Sequence, residues 1–77
     1  MAKEQKLLVR FDDLGRGYKY GLVKWVYTSG RYEYVVATNP VIKADGTVQE
    51  WASGSYHATL KSAQEAYKKK IRMMGGN

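Results

Sequence analysis

The spacing of apolar residues changes once along this chain, close to Thr59. Before Thr59, short runs alternate apolar and polar residues, which is typical of β-strands with one buried face. After it, apolar residues recur every three or four positions, as on one face of a helix: Leu60, Ala63, Tyr67, Ile71 and Met74. This change predicts an α+β domain, a small antiparallel sheet of three to four strands with one C-terminal α-helix packed on one face.

Turn-forming residues divide the first part of the chain into strands. The predicted strands cover about residues 6–11, 19–28, 31–38 and 47–52, and the predicted helix covers about 60–74. Asp45 and Gly46 predict a hairpin turn. Pro40 has no N–H to donate, so the third strand is expected to end or to become an edge strand there. Thr59 is the expected N-cap of the helix, with Ser62 as a competing start. The 77 residues are expected to form a single domain, without disulfides because there is no cysteine.

Large apolar residues fall on both faces of the predicted sheet. The more continuous set, which we expect beneath the helix, is Tyr20, Leu22, Tyr32, Tyr34 and Val36. The opposite set is Val23, Trp25, Tyr27 and Val35. One helix can cover only one face, so the second set needs a separate explanation.

Three uses of that second face remain open from the sequence. Aromatic groups beside cations suit base stacking and phosphate pairing. The same residue types are enriched in protein interfaces, so a protein partner or a second copy of the chain could dock there. Alternatively, the N-terminal strand or a loop could fold over this face and bury it.

The charge of the chain favours a polyanionic partner. Thirteen Lys and Arg against seven Asp and Glu give a net charge of +6, and clustered cations bind nucleic acids by displacing counterions. The run of Lys68, Lys69, Lys70 and Arg72 has two interpretations. These cations could complement the helix dipole, or they could position a nucleic-acid backbone without reading its sequence.

Three segments of the chain resemble a known family in their residues, the second with extra spacing between them. The first is Gly30, Arg31 and Tyr32, the second is Trp51, Gly54, Ser55 and Tyr56, and the third is Thr59, Ala63, Ala66 and Tyr67. Together, over about residues 20–67, they resemble the plant ethylene-response-factor type of DNA-binding domain, and phage integrase arm-binding domains are similar in outline. The resemblance implies a three-stranded sheet plus a helix, with the sheet placed in the DNA major groove.

The same resemblance implies roles for two residues. Arg31 takes the place of a DNA-contacting cation, and Tyr67 that of a helix tyrosine near the backbone. Where the family alternates arginines on its DNA face, this chain has Val23, Trp25, Tyr27, Val35 and Ala37. That surface favours stacking on single strands, phosphate binding or a protein interface over base reading in a duplex.

The sequence gives no support for catalysis or for a cofactor. His57 is the only histidine and has no partner at a spacing suited to a metal site. Asp12 and Asp13 are adjacent turn residues, which usually cap or meet solvent. The charged start and the short apolar runs predict neither a secretory signal nor a membrane span, so we expect a cytoplasmic protein. Because no catalytic motif is found, we expect no small-molecule substrate.

The leading hypothesis is a small basic nucleic-acid-binding protein, for DNA or RNA, that acts through an aromatic and basic sheet face. The alternative is a protein-interaction module or homodimer, such as a phage or mobile-element inhibitor of a host nucleoprotein complex. The candidate contacts are Lys24, Trp25, Tyr27, Arg31, Tyr67, Lys68, Lys69 and Arg72. Among them, Trp25 and Tyr27 are the candidate stacking groups.

Overall fold

The computed structural model describes residues 4–15 and 17–75 of the chain. Its elements are β1 (Gln5–Gly15), β2 (Tyr18–Val26), β3 (Tyr32–Thr38), β4 (Val41–Ile42), β5 (Val48–Glu50), β6 (Ser53–His57) and α1 (Leu60–Gly75). Four of the strands form one antiparallel sheet in the order β1-β2-β3-β6, and β4 and β5 form a separate two-stranded hairpin. The predicted α+β class, with a small antiparallel sheet and a C-terminal helix, is confirmed.

One strand of the main sheet was not predicted from the sequence. The fourth predicted strand, 47–52, corresponds to the short hairpin strand β5, whereas the fourth strand of the sheet is β6. Ser53, Gly54 and Ser55 have low β propensity, so β6 has little local signal. It becomes a strand because it pairs along β3, from Tyr34 opposite His57 to Thr38 opposite Ser53.

The start of α1 and the turn of the hairpin agree with their predictions. The backbone N–H of Ser62 donates to the hydroxyl of Thr59 over 3.2 Å, so Thr59 is an N-cap. In the hairpin, Gly46 adopts a φ of 88°, and the N–H of Lys43 donates to the carbonyl of Thr47 over 2.8 Å. The side chain of Met74, assigned to the apolar stripe, lies outside the described part of the structure.

The helix covers the face of the sheet that its apolar stripe was expected to cover. The buried residues of this core are Tyr20, Leu22, Val36, Ala63 and Tyr67. The hydroxyl of Tyr67 lies 2.7 Å from Oδ2 of Asp12 and 2.9 Å from the carbonyl oxygen of Tyr20. Burial and the bond to Asp12 raise the pKa of Tyr67 well above its usual value. This contact ties the helix to both β1 and β2.

A bulge in β1 brings Asp12 to the helix side. Without it, Leu8 and Arg10 would share one face, as strict alternation predicts. In the structure Leu8 pairs with Val23 and Arg10 pairs with Leu22, with a register shift between them. The extra residue of a bulge turns the following side chains to the other face. The strand was predicted to end at residue 11, but it continues to Gly15 because its last residues pair with the start of β2, so Asp12 is a strand residue.

A second core lies on the opposite face of the sheet, beneath the β4–β5 hairpin. Its buried residues are Val23, Val35, Ala37 and Val48. Leu8, Trp25 and Trp51 pack around them. Burial was one of the uses left open for this face, but the expected cover was the N-terminal strand or a loop. Instead a hairpin from the middle of the chain supplies it, and it covers only part of the face.

Candidate functional site

Four aromatic side chains gather on the hairpin side of the sheet, and we call them the aromatic cluster: Trp25, Tyr27, Trp51 and Tyr56. The rings of Trp25 and Tyr27 stack with their centroids 5.0 Å apart and their planes at 24°. Trp51 meets Trp25 edge-on at 5.5 Å, and Tyr56 lies 6.3 Å away. Trp25 and Tyr27 are half-buried, whereas Tyr56 is 51% exposed. The two predicted stacking groups therefore already stack on each other.

Lys6 belongs to the same cluster, although the sequence did not point to it. It is the cross-strand neighbour of Trp25. Its ammonium lies 4.9 Å from the Trp25 ring and 5.5 Å from the Trp51 ring, within cation–π range. It also donates a hydrogen bond of 3.3 Å to the carbonyl of Gln49. Only the register of β1 against β2 reveals this contact.

At the end of the sheet, Tyr27 is held by Glu33. The hydroxyl of Tyr27 donates to Oε1 of Glu33, and this bond is the main reason that the pKa of Tyr27 rises to about 12. Tyr27, Arg31 and Glu33 line a shallow groove of about 390 Å³ at the β2–β3 turn. Glu33 therefore brings a negative charge into the same groove as Arg31, and Lys6 is the cation that contacts the aromatic cluster itself. The surface is aromatic, but it is not strongly basic.

Lys24 lies on the other face of the sheet from Trp25. It pairs with Tyr34 across the strands. Its ammonium is 4.6 Å from the ring of Tyr32, and Tyr32 in turn meets Tyr34 edge-on at 5.8 Å. Tyr32 is 53% exposed and does not belong to the core beneath the helix. Lys24 and Trp25 therefore cannot act together at one contact.

The strongest concentration of positive charge lies on α1, and we call it the cationic helix face: Lys68, Lys69, Lys70 and Arg72. All four side chains are exposed. The segment from residue 66 to residue 73 has no Asp or Glu. Across residues 4–15 and 17–75, the single salt bridge joins Arg10 to Asp12 over 3.0 Å. None of the four cations is therefore ion-paired with a described carboxylate.

The predicted contacts divide between two surfaces on opposite faces of the sheet. Trp25, Tyr27 and Arg31 lie on the aromatic side, and the three predicted helix cations lie on the side of α1. Tyr67 belongs to neither surface, because it is 1% exposed and its hydroxyl is committed to Asp12 and Tyr20. Its side chain therefore offers no exposed surface to a partner. Its position on the apolar stripe of the helix is the signal that it faces the core.

His57 joins two serines at the start of the helix. Its Nε2 lies 3.0 Å from the hydroxyl of Ser55, and its Nδ1 lies 3.0 Å from the hydroxyl of Ser62. The contact to Ser62 connects β6 to α1, whereas the contact to Ser55 lies within β6. Among the residues that the structure describes, no three metal-ligating side chains converge, and no helix is long and apolar enough to cross a membrane.

No protein-family model, no curated protein and no solved structure matches this chain. The fold presents two surfaces, one on each side of the main sheet. They define a small α+β domain with a cationic helix on one side of its sheet and an aromatic cluster on the other.

Proposed function

We propose that this protein is a small, non-catalytic nucleic-acid-binding protein, which holds the phosphate backbone against the cationic helix face. The observation that carries this proposal is the exposure of four neighbouring cations that are not ion-paired with any described carboxylate. A salt-bridged lysine has to give up its partner before it can bind a phosphate. These four cations do not carry that cost.

The chemistry of this surface suits backbone binding more than base reading. Lysine ammonium groups contact phosphate as point charges, whereas sequence is read by groups that reach base edges. Three of the four cations are lysines, on side chains with several rotatable bonds. We therefore propose that binding is governed by salt and is tolerant of sequence, for DNA and RNA alike.

The aromatic cluster is not needed for this proposal. The hairpin covers Val23, Val35 and Ala37 on the face opposite the helix, so that face is not a bare sheet able to enter a major groove. It also lies across the sheet from the cationic helix face. Stacking of bases on Trp25 or Tyr27 would be a second, separate contact.

The test compares two variants that lose the same charge. Lys68→Gln with Arg72→Gln alters the cationic helix face, and Lys19→Gln with Lys43→Gln is the control, since both control lysines are exposed and lie off the helix. Fluorescence anisotropy with labelled single- and double-stranded DNA and RNA is measured at several salt concentrations. For duplex DNA, we expect the slope of log K against log salt to fall by about 2 in the helix variant, since each phosphate contact contributes about 0.9.

Two results would contradict the proposal. One is the absence of binding at about 50 mM salt, where electrostatic binding is strong. The other is an equal loss in the control, which would show that total charge, and not the helix face, governs binding. Substitution of Tyr27 by Phe, which keeps the ring, should leave the salt slope unchanged.

The protein-interaction hypothesis is favoured by a different observation, the partial exposure of the aromatic cluster. Trp and Tyr are the residues that most often dominate binding energy in protein interfaces. A host nucleoprotein as the partner, a phage origin and a cytoplasmic location remain predictions from the sequence.

A further inference from the structure

Strand β6 forms an outer edge of the main sheet. The strand order is β1-β2-β3-β6, and within residues 4–15 and 17–75 no strand pairs with the far side of β6. Edge strands present backbone N–H and C=O groups that are ready to pair with another chain, and proteins usually protect them with charges, proline or bulges. The segment Ser53–His57 contains no Lys, Arg, Asp, Glu or proline. Its pairing with β3 runs without a register shift from Ser53 to His57.

The opposite edge of the sheet has the protection that β6 lacks. Strand β1 contains the bulge near Val9 and the charged residues Arg10, Asp12 and Asp13. Part of its outer side is also occupied by the hairpin, because Leu7 forms a bridge with Thr47. Self-association through a sheet edge would therefore use β6 in preference to β1.

We propose that β6 pairs antiparallel with β6 of a second copy, in a register centred on Ser55. This arrangement places Gly54 of each copy opposite Tyr56 of the other. A two-fold interface requires a surface that complements itself, and β6 meets this requirement because one glycine and one exposed tyrosine lie at equal distances from Ser55. A second copy also brings no charge to the paired strands, although each chain has a net charge of +6.

The surroundings of Gly54 provide the contact for that tyrosine. Trp51 packs so closely on Gly54 that an added Cβ would lie 3.0 Å from its Nε1, and 2.9 Å from Cγ1 of Val35. Tyr56 of the second copy, which is 51% exposed in the single chain, would lie beside this glycine and reach Trp51. An aromatic ring across from a strand glycine covers the backbone that the glycine leaves open. Both contacts occur twice by symmetry.

The proposed pairing also determines where the two helices lie. Antiparallel strands of one sheet are related by a two-fold axis perpendicular to the sheet, so the faces of the two copies coincide. Both cationic helix faces would point to the same side of an eight-stranded sheet. The dimer thus goes beyond the proposed nucleic-acid binding and does not depend on it, since its contacts involve neither phosphate nor the helix cations.

The experiment is analytical ultracentrifugation of the protein alone, over a range of concentrations and without nucleic acid. We expect a monomer–dimer equilibrium with a dissociation constant on the order of 10–100 µM, because a single pair of short strands is a small interface. Raised salt should leave it intact or strengthen it, since salt screens the repulsion between two cationic chains. Tyr56→Lys should weaken it by at least about tenfold, because it removes the ring and introduces like charges near the axis.

The matched control is Tyr18→Lys, which changes another exposed tyrosine, at the far end of β2, in the same way. It should dimerise like the native chain, and circular dichroism checks that both variants are folded. A native chain that stays monomeric to millimolar concentration would overturn the proposal, as would a dimer that Tyr56→Lys does not weaken. If Tyr56→Lys fails to fold, amide hydrogen exchange of the native chain decides the question. The exchange of β6 amides must then slow with rising concentration while that of the 11–15 segment does not.

Discussion

The hydroxyl of Tyr67 joins the helix to the sheet, and replacement of Tyr67 by Phe removes that hydroxyl alone. The ring is 1% exposed, and the guanidinium of Arg10 lies 5.0 Å from its centre, a contact that phenylalanine retains. The lost contacts are those to Asp12 at 2.7 Å and to the carbonyl of Tyr20 at 2.9 Å. The substitution therefore measures the contribution of one hydrogen-bonding group to the stability of the domain.

The expected magnitude follows from the two acceptors. A hydrogen bond to a charged group contributes about 1.5–3 kcal/mol, and one to a neutral group about 0.5–1.5 kcal/mol. The side chain of Asp12 is 33% exposed and keeps its salt bridge to Arg10, so water can partly replace the lost donor. We expect Tyr67→Phe to lower the free energy of unfolding by about 1–2 kcal/mol. In a domain of this size the melting temperature would fall by roughly 4–16 °C.

The assay is urea denaturation followed by circular dichroism, with Tyr18→Phe as the control. Tyr18 is 44% exposed, and we expect its substitution to change stability by less than about 0.5 kcal/mol. A double-mutant cycle with Asp12→Asn then isolates the coupling between the hydroxyl and the carboxylate. If Tyr67→Phe were as stable as the native chain, the hydroxyl would not anchor the helix and the reasoning would be wrong.

Two further predictions concern the opposite side of the sheet. Gly54→Ala should destabilise the fold by about 1–3 kcal/mol, because the added Cβ would lie 2.9 Å from Cγ1 of Val35. Urea denaturation measures this loss, with Ser53→Ala as the control. Equal stability of the two variants would contradict the close packing at Gly54. Tyr27 should ionise near pH 12 instead of 10, since its hydroxyl donates a hydrogen bond to Glu33. Because the folded pKa is raised, the stabilisation from the neutral hydroxyl is complete below pH 10 and is lost as the pH rises through 12. The assay is tyrosinate absorbance, with Tyr27→Phe identifying the contribution of Tyr27. In the Glu33→Gln variant, Tyr27 should ionise at a lower pH than in the native chain, and an unchanged titration would count against the hydrogen bond.

The helix and the face that it covers could be read from the sequence. Residues spaced three or four apart after Thr59 can only be brought to one side by a helix, and Tyr20, Leu22 and Val36 match that stripe by alternation along β2 and β3. Both signals are local, because they arise from the repeat of the backbone itself. The position of Tyr67 in the core followed from the same stripe, although the family resemblance placed it at a binding surface.

Residues that act through pairing with distant strands could not be predicted in the same way. Ser53 to His57 has weak strand propensity, and it forms β6 because the edge of β3 is available to it. Asp12 reaches Tyr67 only because a bulge reverses the faces of β1, and Lys6 reaches Trp25 only through the register between β1 and β2. A local pattern does not contain a register, since it depends on which residues of two separate segments face each other.

The sequence by itself determined the fold class, the number of helices and the excess of positive charge, because composition and backbone periodicity are properties of neighbouring residues. The tertiary structure decided how the candidate contacts divide. Trp25 and Tyr27 alternate to one side of the sheet, and Lys68 and Arg72 lie on a helix that packs against the other side. The physical reason is that a sheet separates its two faces completely, so residues that look like one basic and aromatic site in the sequence become two surfaces.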